Sequence, residues 1–209
     1  MSTELTYRNN NTMNAFSLSE IQLATVTVAP SATGRPWCHG LVVSIDGTTA
    51  VLLPGGALPS RRSSAFVRGR DASAGCVTVE ASMDASQQAA RGALRADQVV
   101  AIPLESQSVG AMFALELDLE ATSDVDDDEL TVLPMRTDRI FELEHAWLLR
   151  SALSGDIGLP VFEPVPGRDQ YACLAGMVVG PATMVTVDEL VRVVRAATSS
   201  RSEAQCSRV

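Results

Sequence analysis

Apolar positions along this chain fall in short runs separated by polar or turn-forming segments, a spacing that predicts strands rather than long helices. Residues 21–28 (IQLATVTV) alternate well enough for one strand. Residues 41–45 (LVVSI) and 48–53 (TTAVLL) flank Asp46-Gly47, a dipeptide that tolerates positive φ and so predicts a two-residue hairpin. Further strands are expected at 76–80 (CVTVE), 99–104, 111–119 (AMFALELDL), 130–134, 159–162 and 171–179 (YACLAGMVV). The polar Ala/Gln/Ser stretch between 80 and 99 reads as a loop or a short helix, and 140–149 fits neither period.

The period changes near the end. Val187, Leu190, Val191 and Val194 lie on one helical face, which predicts a helix over 187–197. Thr186 and Glu189 stand at the spacing of a capping box, and Arg192 and Arg195 would then lie toward the negative end of the helix dipole. Residues 1–18 read as a flexible leader and 199–209 as a flexible tail. Roughly ten short strands with one terminal helix describe an all-β barrel or sandwich protein, and no repeat occurs at solenoid spacing.

Composition narrows the function classes. The 209 residues are 46% apolar and 20% charged, enough for a real core in one ordinary domain or two small barrels. A net charge of −9 opposes binding along nucleic-acid phosphates, which needs many cations to release counterions. No apolar run reaches the roughly 20 residues that span a bilayer, so no membrane association is expected. The polar, Asn-rich start lacks the pattern of a signal peptide, which points to an intracellular, cytoplasmic setting. Cys38, Cys76, Cys173 and Cys206 stand far apart with only His39 and His145 to help, so neither a zinc site nor any other metal or cofactor is expected. The acidic run 124–129 lacks the alternation and central Gly of a calcium loop and reads as solvated surface. All 16 basic residues are Arg, which reads either as a GC-rich coding sequence or as a surface without side-chain sites for acetylation or ubiquitin. Schiff-base chemistry and a Ser–Lys dyad are excluded with it.

The informative stretch is 154–162, Ser154-Gly155-Asp156-Ile157-Gly158-Leu159-Pro160-Val161-Phe162. It resembles the nucleophile segment of the chymotrypsin-like (trypsin-like) serine peptidases, G-[DN]-S-G-G-P followed by an apolar strand. Ile157 occupies the Ser position and Leu159 that of the second following Gly. Residues 37–53 look like the family's early hairpin, and Leu53-Pro54-Gly55-Gly56-Ala57 stands where its T-A-A-H-C motif would be, with Gly56 at the His position. Residues 96–104 resemble the strand that opens with the catalytic Asp, here Asp97. Residues 173–180 and the closing helix are similar to the family's last strand and helix. The motifs follow the family's order, with Gly56 and Asp97 41 residues apart and Asp97 and Ile157 60 apart, within a resemblance that spans about 20–197.

The resemblance implies two six-stranded antiparallel β-barrels, 19–107 and 108–198, the second carrying the C-terminal helix. It also implies a degenerate triad at Gly56, Asp97 and Ile157. Without an imidazole or a nucleophile, Asp97 has nothing to orient, and hydrolysis should be undetectable. Ala57 replaces a Cys that in many secreted members pairs with the one matching Cys38, in keeping with a reducing compartment. Gly155 and Ile157 match the amide donors of the oxyanion hole, and Asp156 and Gly158 keep the turn. These residues with His39 form either a vestigial cleft for a peptide or simply a turn the fold needs. The expected function is an inactive protease homologue that binds a protein or peptide partner. Two alternatives stand beside it: a hydrolase with a displaced set using Ser154, Cys38 or His39, and a structural subunit of a larger complex.

Overall fold

The computed structural model describes residues 15–55, 64–82, 99–104, 112–117, 132–134, 157–165, 167–180 and 183–206. The first part of the chain forms β1 (Ala15–Ser17), α1 (Leu18–Ala24), β2 (Thr25–Ala29), β3 (Cys38–Ile45), β4 (Thr48–Pro54), β5 (Ser64–Arg70), β6 (Cys76–Ser82) and β7 (Val99–Pro103). The remainder forms β8 (Leu115–Glu116), β9 (Val132–Pro134), β10 (Pro160–Val165), β11 (Arg168–Gly180), β12 (Thr183–Thr186) and α2 (Val187–Cys206).

The Asp46-Gly47 hairpin forms as its residues demand. β3 and β4 pair from Leu41 with Leu52 to Ile45 with Thr48. Asp46 and Gly47 take φ of 50° and 76°, the left-handed pair whose twist matches the flanking strands. Around this hairpin the first sheet runs β6-β5-β2-β3-β4-β7. Its central order β5-β2-β3-β4 places a fourth strand beside the first of three consecutive ones, a Greek key. On one edge of β3, β2 pairs with Cys38 to Leu41, and the short parallel β8 takes Val43 and Ser44. The edge strands β6 and β7 touch, so the antiparallel sheet is curled.

The curl explains why the middle strands read as unbroken apolar runs. Val42, Val51, Leu53, Val100 and Ile102 point inward with Val26, Val28 and Val67. Their neighbours Leu41, Val43, Leu52, Val99 and Ala101 point outward into a second core. That second core lies against another sheet, β1-β11-β12-β9, with β10 on the other edge of β11. Strands buried on both faces lose the alternation of a half-solvated sheet. Gly176 in β11 allows β12 to approach, since a Cβ there would lie 2.0 Å from the Val185 carbonyl oxygen. Helix α2 follows β12 directly, and Leu190, Val191 and Val194 pack it across β11 and β12 on one side and β3, β4 and β7 on the other. Among the described residues, then, the protein is mostly β, with a curled antiparallel sheet and a C-terminal helix.

Several expectations change. The leader does not extend to 18: Ala15–Ser17 pairs with β11, and Phe16 is buried in the second core. Residues 21–28 are not one strand, because α1 continues through Ala24 before β2 begins. Ser17 caps α1, its Oγ accepting from the Glu20 amide at 3.2 Å while the Glu20 carboxylate accepts from the Ser17 amide at 2.7 Å. This is a capping box that the sequence reading did not single out; at the other helix, Glu189 accepts from Arg192 through both carboxylate oxygens, at 2.7 and 2.8 Å. The tail expected from 199 continues as helix to Cys206, which leaves Arg192 and Arg195 well inside α2 rather than in its last turn. Strands β5 and β12 were not expected, and of 111–119 only Leu115–Glu116 is strand among the described residues. The ambiguous 140–149 and the acidic run 124–129 lie outside the described residues.

Candidate functional site

Three of the residues singled out in the sequence meet at one corner. His39 stands at the start of β3, opposite the hairpin turn, and is 3% exposed. Its backbone amide donates to the Ile157 carbonyl at 3.2 Å. The Gly158 amide donates to the Val178 carbonyl at 2.8 Å, and the Val178 amide returns a bond to the Leu159 carbonyl at 2.8 Å. A single turn is thus tied to β3 of the first sheet and β11 of the second.

Glycine at 158 is a steric requirement. Its φ is +88°, and a Cβ there would sit 2.0 Å from the His39 carbonyl oxygen. The turn therefore lies flush on the backbone of β3 while Ile157 stays 40% exposed. Reading His39 as a side-chain candidate missed this role of its backbone. The signal was the glycine directly after Ile157, which sequence reasoning took as a turn former only.

The chemistry available here is limited. Ile157 carries only hydrocarbon. Cys38, next to His39, is a free thiol, and burial pushes its pKa from the ordinary 9.0 up to about 12, so it carries almost no thiolate at neutral pH. Leu159 is buried in the second core. Gly56, Asp97, Gly155 and Asp156, together with Ser154 and His145, lie outside the described residues. The strand ends nearest Gly56 and Asp97 along the chain do meet: Pro54, the last residue of β4, and Val99, the first of β7, each two residues away, are register partners at the end of the β4–β7 ladder.

Among the described residues no group of three or more His, Cys, Asp or Glu could hold a metal. Asp71, at the β5–β6 turn, spends one carboxylate oxygen on its own loop, accepting from the Ser73 and Gly75 amides and the Ser73 hydroxyl at 2.7 to 2.9 Å. Those bonds, the hydroxyl foremost, hold its pKa below the usual carboxylate value. No described helix is long and apolar enough to cross a membrane. Comparison with known proteins finds no match among family models, curated proteins or solved structures.

Proposed function

We propose that this chain is a catalytically inactive homologue of the trypsin-like serine peptidases, built on two antiparallel barrels, that works as a protein-binding or scaffolding module. The observation that carries the reading is the 157–158 turn. Ile157, a side chain with no nucleophilic atom, projects from a turn bonded to β3 through His39 and to β11 through Val178. The resemblance assigns the nucleophile to that position. The Greek-key order of the first sheet and the helix that closes the second support the same framework.

The degenerate triad positions Gly56, Asp97 and Ile157 belong together in this reading. The pairing of Pro54 with Val99 favours it, because the chain segments leading to Gly56 and from Asp97 leave one end of one ladder. The Cys38 end of β3, where His39 receives the turn, lies at that same end of the β3–β4 hairpin. A hydrolase with a displaced set draws little support: the Cys38 thiol is protonated and buried, and His39 is buried beneath the turn.

The test combines a fluorophosphonate probe with capture of partners on the immobilised chain. No serine adduct and no peptide cleavage are expected, together with a protein retained by the native chain and lost from the Ile157→Arg variant. A covalent adduct on any serine near the turn would overturn the assignment as inactive. Capture of no protein at all would overturn the binding role.

A further inference from the structure

The arginines divide by what their side chains do. Arg68 donates from one Nη2 to the Ser31 and Gly34 carbonyls, at 3.1 and 2.5 Å. Arg192 holds Glu189 through Nε and Nη2 in the bidentate geometry only a guanidinium offers. Arg35 and Arg70 do neither: both are exposed, with no side-chain hydrogen bond or ion pair among the described residues. An ammonium would carry the same charge at those two positions and is the more strongly hydrated group. Contact geometry therefore does not account for a chain in which all 16 cations are guanidinium.

We propose that the positive charge of this chain is confined to guanidinium groups because amine-directed conjugation threatens it, so that arginine at exposed positions such as Arg35 and Arg70 shields it from ubiquitin-like modifiers. In that conjugation a lysine ε-amine attacks the thioester carbonyl at the modifier's C-terminus. The isopeptide bond forms, the carrier enzyme's thiol leaves and the amine gives up a proton. A guanidinium, protonated at every physiological pH, cannot act as that nucleophile. The inference does not depend on the protease-like framework.

The experiment expresses the native chain, Arg35→Lys, Arg70→Lys and the charge-removing control Arg35→Gln in cells with an active ubiquitin system. Conjugates and half-life are followed with and without an inhibitor of the activating enzyme, and thermal unfolding confirms that all four fold alike. Both Lys variants are expected to gain conjugates and lose half-life severalfold, with recovery under the inhibitor, while the native chain and Arg35→Gln do neither. Lys variants that stay free of conjugate and as long-lived as the native chain would overturn the proposal and leave coding bias as the cause. So would an equal loss of half-life in Arg35→Gln.

Discussion

At Gly158 two costs coincide, a left-handed backbone and a neighbour where a side chain would begin. Gly167 has a similar φ of +75° but open space around its Cβ position. The pair separates strain from collision. Gly167→Ala is expected to cost about 1 kcal/mol. Gly158→Ala should cost at least about 2 kcal/mol more, because the His39 carbonyl belongs to a central strand and cannot yield. Urea unfolding of the two variants measures the difference, and equal midpoints would mean that the turn does not rest on β3.

Cys38 gives a second prediction at this scale. Its folded pKa of about 12 lies above the ordinary 9.0, so between those values the unfolded chain has released a proton that the folded chain keeps. Unfolding is then favoured as pH rises, and the contribution of this thiol to stability falls by about 1.4 kcal/mol per pH unit at most. A Cys38→Ala variant should show a shallower loss of stability above pH 9.0 than the native chain. A thiol reagent at pH 8 should modify the exposed Cys76 promptly and Cys38 only on unfolding.

Among the elements, those fixed by local chemistry could be read in advance, and those fixed by partners could not. The Asp46-Gly47 hairpin and the start of α2 at Val187 carry their signals within a few residues. Strand β5 (SAFVRGR) ends in Arg68, Gly69 and Arg70, which break its apolar run. It is a strand because β2 and β6 flank it, and Arg68 turns aside to bind the loop carbonyls of Ser31 and Gly34. Helix α1 was hidden by the alternation of 21–28, although Ser17 and Glu20 stand at capping-box spacing. Ser17→Ala is expected to cost about 1 kcal/mol, the usual value of an N-cap oxygen. Denaturant titration reads it, and a loss near zero would show that β1 and not the cap holds this segment.

For the molecule as a whole, the two faces of one sheet bind the structure together. Leu52 and Leu53 are adjacent on β4 and point into different cores. Each, cut to Ala, should cost about 2–5 kcal/mol. Both should shift the same single unfolding transition, because β3, β4 and β7 belong to both cores. Two separable transitions in calorimetry would show that the sheets fold independently. The candidate site was legible only in part at this scale. The sequence marks Ile157 and Gly158, but the tie from His39 joins residues more than a hundred positions apart, which no local pattern encodes.

In the proposed function, the 157–158 turn is a reaction corner that has kept its frame and lost its reacting atoms. The most direct measurement is fluorophosphonate labelling of the Gly56→His/Ile157→Ser double variant, with mass spectrometry to locate the adduct. If the proposed function holds, an imidazole at position 56 and a hydroxyl at position 157 should produce an adduct at position 157 that the native chain and each single variant lack. A folded double variant as inert as the native chain would contradict the shared corner.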